Sequence, residues 1–158
     1  MQWAGLVPPA AAVLDLAAGS GRHALFFAGR GHKVTAVDRD VSRLPDHAGI
    51  EGRQADLEDG SPWPFAGRTF GAAVVTNYLH RPLMPNLLDA IAPGGVLLYE
   101  TFMIGNERFG KPSNPAFLLT DGELLDTVRG KFSVIAYEAR LVSEPHMAMV
   151  QRIAARRL

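Results

Sequence analysis

Three carboxylates and a pair of glycines stand where ligand chemistry can occur. The segment Val13-Leu14-Asp15-Leu16-Ala17-Ala18-Gly19-Ser20-Gly21-Arg22-His23 runs from an apolar stretch into a turn with two glycines and then directly into a helical pattern. Gly19 and Gly21 admit torsions and close approaches that a Cβ would block. The unpaired N–H groups of a helix start suit a polar or anionic ligand group, although such a turn can also serve tight packing alone. Asp38 closes the next apolar run, Lys33–Asp38, where a carboxylate can accept both hydroxyls of a ribose. Asp56 falls at the end of a third run, Ile50–Leu57, on the same C-terminal edge of the sheet. There it can accept from an adenine amino group while Leu57 packs on the base. Each aspartate alone could equally be a helix cap. Features at three successive strand ends, facing one crevice, point instead to one adenosine-containing ligand.

Two such ligands compete. Gly19-Ser20-Gly21-Arg22-His23-Ala24 satisfies a dinucleotide pattern with alanine in third place, which keeps NAD in view. Against NAD, Asp15 sits inside the strand, where a dinucleotide fold has an apolar residue. The Tyr-x-x-x-Lys pair of single-domain dehydrogenases is also missing, since Tyr78, Tyr99 and Tyr137 are followed four residues on by Pro82, Met103 and Leu141.

The acceptor side carries a thinner signal. Tyr78, His80 and Glu100, near the ends of the fourth and fifth strands, are the candidates for a general base. His80 is the first choice; its alternative is a histidine capping or packed beneath the following helix. In the polar stretch Gly105–Pro115, Arg108 and Lys111 suggest, together with Arg81, an anionic acceptor, the alternative being a solvated loop. His23, His32, His47 and His146 lie far apart without ligand spacing and read as structural, and no metal is expected.

Positioning these groups requires alternating strands and helices. Strands are expected over Ala12–Leu16, Lys33–Asp38, Ile50–Leu57, Phe70–Asn77, Gly95–Phe102, Phe132–Val142 and Ala148–Ala155. Helices are expected over Ser20–Arg30 and Leu83–Ala92, with a weak one at Asp40–His47. A last helix runs to Arg129 behind the capping signature Thr120/Glu123. Strand–helix alternation implies right-handed crossovers and a parallel, doubly wound α/β sheet. The last two strands have too short a connection for a crossover and must form an antiparallel hairpin.

Composition bounds the rest. The 158 residues suit a single domain over 1–158, with 47% hydrophobic and 20% charged side chains. Sixteen basic residues balance sixteen acidic ones, which argues against a nucleic-acid or anionic-membrane partner. The one basic cluster, Arg152, Arg156 and Arg157, reads as a solvated strand edge. The absence of cysteine excludes disulfides and thiolate chemistry. No apolar run approaches the roughly 18 residues of a membrane span, and no leader pattern opens the chain. A cytoplasmic location is expected.

Asp15-x-Ala17-x-Gly19-x-Gly21 resembles the first motif of class I S-adenosylmethionine (SAM) dependent methyltransferases, with alanine replacing the first glycine. The resemblance extends through Val37-Asp38, Ala55-Asp56-Leu57, Ala73–Asn77 and Ala92-Pro93-Gly94-Gly95-Val96-Leu97. Within the family it is loosely similar to small bacterial methyltransferases of the tellurite-resistance group. The resemblance implies a Rossmann-like, mostly parallel seven-stranded sheet, SAM as cofactor and direct in-line methyl transfer to a small molecule. It implies Asp15 at the methionine ammonium, Gly19 and Gly21 along the methionine, and Asp38 at the ribose. Asp56 and Leu57 would frame the adenine, and Asn77 and Tyr78 would sit near the sulfonium. Ala17, Ser20 and Arg39 complete the implied cofactor set. Asn77-Tyr78-Leu79-His80 lacks the Asn/Asp-Pro-Pro-Tyr/Phe motif of methyltransferases acting on nucleobase or glutamine amino groups. A noncatalytic SAM-binding domain is the second reading and an NAD-linked oxidoreductase the third.

Overall fold

A computed structural model describes residues 2–158. The apolar runs form seven strands: Ala12–Leu16 (β1), Lys33–Asp38 (β2), Ile50–Gln54 (β3), Phe70–Thr76 (β4), Ile91–Phe102 (β5), Phe132–Val142 (β6) and Ala148–Arg157 (β7). Three helices accompany them: Arg22–Ala28 (α1), Met84–Asp89 (α2) and Glu123–Val128 (α3). The strand order is β3-β2-β1-β4-β5-β7-β6. Strands β1 to β5 pair in parallel, and β7 runs antiparallel between β5 and β6. This is the expected Rossmann-like, doubly wound sheet with a C-terminal antiparallel hairpin.

Alternation along the central strands divides the core into two layers. Val13, Val34, Val74 and Val96 face α1 through Ala24 and Phe27. Leu14, Val75, Leu97 and Ile153 face α2 and α3 through Leu87, Leu88, Leu124 and Val128. Among the described residues, no helix is long and apolar enough to cross a membrane.

Several boundaries differ from the sequence-based expectation, each for a local reason. Residues 40–47 form turns, not a helix; Leu44 and Pro45 instead pack behind Gly21, and proline resists helix continuation. β3 stops at Gln54 because Asp56 begins a side-chain turn, its Oδ1 accepting from the Glu58 N–H at 2.9 Å. β4 stops at Thr76 because Asn77 adopts φ 55°. The helix expected over Leu83–Ala92 is a 3-10 turn at Arg81–Leu83 plus α2. β5 starts earlier than Gly95, at Ile91, with a register shift opposite Phe70 and Ala72. In the capping signature, Glu123 Oε2 accepts from both the Thr120 N–H (2.8 Å) and its hydroxyl (3.0 Å), and α3 begins only after Gly122.

The basic cluster is not a solvated edge, because β7 is interior. Arg152 pairs with Glu100 at 2.7 Å and Glu138 at 3.4 Å. Arg156 donates to the Gly94 carbonyl at 2.8 Å. Arg157 donates to the Leu88 and Ile91 carbonyls, each at 2.7 Å, closing the end of α2 onto β5. Charged hydrogen bonds contribute about 1.5–3 kcal/mol each, less where water competes. Arg157→Met should therefore destabilise the fold by about 2–3 kcal/mol, since it removes the charged donors of both carbonyls. Urea denaturation measures this; a loss of unfolding free energy under about 0.5 kcal/mol would show that solvent replaces the guanidinium.

Candidate functional site

β1 carries Asp15 to the C-terminal edge, and the chain must then leave the sheet at once to start α1. It does so through three left-handed residues: Ala17 (φ 56°), Gly19 (57°) and Gly21 (74°). Ala17 bears a Cβ there, a strain of about 1–2 kcal/mol. A Cβ on Gly21 would meet Pro45 Cδ at 2.6 Å and Leu44 Cδ2 at 2.9 Å, so Gly21 is required by the backing loop and does not face the ligand side. A Cβ on Gly19 would meet nothing within 4 Å, because that position looks into open space. Asp38, at the end of β2, ties the turn down: its Oδ2 accepts from the Gly19 N–H at 2.8 Å and its Oδ1 from the Asp40 N–H at 3.1 Å. Asp38 is thus a local cap and a wall of the site at once.

Three adjoining hollows run along this edge. The first, about 300 Å³, is walled by Asp15, Gly19, Ser20, His23 and Asn77. The second, about 410 Å³, is walled by Asp38, Arg39, Asp56, Leu57 and Tyr78. Ala17 borders both. The third, about 250 Å³, lies between Asn77–Leu79, the end of β5 and the following loop. Asn77 joins it to the first hollow, while Glu58, Tyr78 and Phe117 join it to the second. Together they form one crevice at the point where the strand order reverses, the expected ligand position in an open α/β sheet.

Its polar groups are unevenly satisfied. Asp15 is 2% exposed and its Oδ2 has no hydrogen-bond partner. Burial pushes its carboxyl up to about 7 against a pull from the Ala24 backbone N–H, and the Asp38 charge adds to the rise while Arg22 opposes it. His23, beside it, is held down at about 4 by burial and then by Arg22, so its imidazole is neutral at physiological pH. The Tyr78 hydroxyl is buried without a partner. Burial, then the Glu58, Asp56 and Asp38 carboxylates, push its pKa well above the ordinary tyrosine value. Tyr78 therefore keeps its proton, which makes it a donor and not a base. Among the described residues no three His, Asp or Glu side chains converge as a metal-binding group.

The crevice brings together Asp15, Ala17, Gly19, Ser20, Asp38, Arg39, Asp56, Leu57, Asn77 and Tyr78. It leaves out His80, Arg81, Arg108 and Lys111, none of which walls a hollow. His80 precedes the 3-10 turn without capping it through its side chain. Arg81 donates to both Glu123 oxygens (2.6 and 2.9 Å) and to the Ala116 and Leu118 carbonyls (3.0 and 2.9 Å). Arg108 is exposed and turns back on Gly105 and the Phe109 ring, and Glu100 is held by Arg152.

His23, Glu58 and Phe117 are among the wall residues outside the expected site set. Glu58 follows Asp56 within the same side-chain turn, a local cue. Phe117 had none, since its place depends on Arg81 gripping the carbonyls on either side of it.

No protein-family model matches the sequence, and no curated protein matches it. Solved structures do match the fold. TehB from Haemophilus influenzae superposes with TM-score 0.77 at 18% identity, over 98% of this chain and 60% of that one. The chain therefore spans less than two thirds of TehB. A SAM-dependent methyltransferase from Mesorhizobium loti superposes with TM-score 0.72 at 19% identity, over 97% and 94%. Burkholderia thailandensis 1,6-didemethyltoxoflavin-N1-methyltransferase, solved with that compound and S-adenosylhomocysteine, gives TM-score 0.64 at 21% identity, over 93% and 71%. The fold of this chain is the Rossmann-like fold of class I SAM-dependent methyltransferases.

Asp15 generates a prediction that needs no ligand. Its folded pKa of about 7 lies above the 3.8 of an unperturbed aspartate, so the fold favours the neutral acid. The stability cost is absent below about pH 4, grows as pH rises, and is complete above about pH 7, where it amounts to roughly 4 kcal/mol. Asp15→Asn removes it and should melt above wild type at pH 8 but not at pH 4. Equal melting temperatures at pH 8 would mean that water or a cation already compensates the charge.

Proposed function

We propose that this chain belongs to the class I SAM-dependent methyltransferases, binds SAM in the crevice and methylates a small molecule. The observation that carries the proposal is the buried, unpartnered Asp15 oxygen at one end of a crevice whose other end presents Asp38 and Asp56. A ligand with an ammonium at one end and an adenosine at the other satisfies all three. The residues present fit that group. Asp15 would accept from the ammonium, and Gly19 and Ser20 would line the methionine portion. Asp38 would accept from the ribose hydroxyls with lone pairs not used by Gly19 and Asp40. Asp56 and Leu57 would frame the adenine, beside Arg39 and Tyr78. When bound, the cofactor supplies an electrophilic methyl group.

The chain's own contribution is then positional. Displacement at a methyl carbon is accelerated chiefly by alignment and loss of competing motion. The three adjoining hollows provide that alignment by holding cofactor and acceptor across Asn77 and Tyr78. Neither Arg108 nor Lys111 supports an anionic acceptor, because both lie outside these hollows. We further propose that the described residues act as one domain.

Calorimetry should show S-adenosylhomocysteine binding and no NAD binding. Asp38→Ala should weaken S-adenosylhomocysteine at least about tenfold, since a charged hydrogen bond is worth about 1.5–3 kcal/mol and 1.4 kcal/mol is a decade. NAD binding more tightly than S-adenosylhomocysteine would end the proposal.

A pH series is a sharper check. Ammonium binding requires Asp15 ionised, so affinity for S-adenosylhomocysteine should rise with pH up to about 7 and then level. His23, with its pKa near 4, does not titrate between pH 5 and 7. The slope should vanish in Asp15→Asn, and its persistence there would assign the titration to another group.

A further inference from the structure

The third hollow has a chemical character of its own. Its walls are mostly aromatic or apolar: Tyr78, Leu79, Phe102, Pro112 and Phe117. Glu58 is the one charged side chain among its lining residues, and no lysine or arginine joins it. Phe117 is half exposed at 50%, an unusual state for a phenylalanine at a concave surface. It is nevertheless firmly placed. The Asn114 side chain accepts from the Ala116 N–H at 2.9 Å, starting the 3-10 turn Pro115–Phe117. Arg81 clamps the carbonyls before and after Phe117 while its guanidinium is itself held by Glu123. The segment is anchored at both ends. Buried Asn106 holds Pro112 and Met149, and buried Gln151 holds Thr120 and Leu124. An exposed aromatic ring on so constrained a backbone is a preformed stacking surface.

Resting on the methyltransferase reading above, we infer that the third hollow takes the acceptor, a flat ring compound, neutral or cationic, whose N–H or O–H donates to the Glu58 carboxylate while its face packs on Phe117. An anionic compound is disfavoured there because Glu58 repels it and no basic side chain compensates. Arg81 is a positioning residue in this arrangement, acting through Phe117 and touching no ligand.

The inference is tested with two probes that share a ring and differ in charge, tryptamine and indole-3-acetate, titrated by calorimetry into protein saturated with S-adenosylhomocysteine. Tryptamine should bind at least about tenfold more tightly. Glu58→Gln, at an exposed position that folding tolerates, should erase that preference. Phe117→Ala should weaken tryptamine several-fold and leave the charge preference intact, because a stacking face does not read charge. Equal binding of the two probes, tighter indole-3-acetate, no binding of either, or an unchanged preference in Glu58→Gln overturns the inference and leaves the cofactor reading standing. Failure of S-adenosylhomocysteine to bind wild type overturns the reading beneath it.

Discussion

The reversal of strand order between β1 and β4 governs what this molecule can do. Parallel strands need right-handed crossovers, so the chain leaving β1 winds over one face to reach β2. On the other flank of β1, β4 sends its chain across the opposite face to β5. The two departing segments diverge above the C-terminal edge, and no backbone fills the gap between them. Ala17 to Ser20 form one lip and Asn77 to Leu79 the other. The crevice follows from connectivity and handedness before any side chain is considered.

Side chains then decide that the gap is polar and open. Asp38 holds the glycine turn through the Gly19 N–H, so the turn does not depend on ligand for its shape. Leu44 and Pro45 press on Gly21 from behind, where only a hydrogen fits. Asp15 works against stability, since a carboxyl buried without a partner disfavours ionisation and the fold bears that strain at neutral pH. Such unrewarded burial of a carboxyl, together with the likewise unpartnered Tyr78 hydroxyl, marks a candidate functional position.

The arginines illustrate how poorly charge alone predicts role. Arg81, Arg156 and Arg157 all donate to backbone carbonyls of irregular or terminal segments. The planar, multiply donating guanidinium suits that task, since one side chain can serve several acceptors. The stretch from Met103 to Leu119, irregular by sequence, is accordingly ordered by Asn106, Gln151 and Arg81. Its order places Phe117 beside the crevice, and its exposed cations, Arg108 and Lys111, remain outside.

What the sequence determined by itself is the strand–helix alternation, the glycine turn and the aspartates at successive strand ends. These are local signals: β-branched runs, left-handed torsions and residues a few positions from a strand terminus follow from short-range sterics. Asp15, Gly19, Asp38, Asp56 and Tyr78 accordingly lie along one crevice at the C-terminal edge of the sheet. Boundaries slipped where one residue competes with a regular element, as Asn77 ends β4 and Pro45 prevents a helix. Tertiary structure alone decided the rest. That β7 lies inside the sheet, that Arg81 grips Glu123 and two carbonyls, and that Glu58 and Phe117 wall a hollow with Tyr78 depend on contacts between residues far apart in the chain. No periodicity or spacing encodes such contacts, because they exist only once the whole sheet has formed.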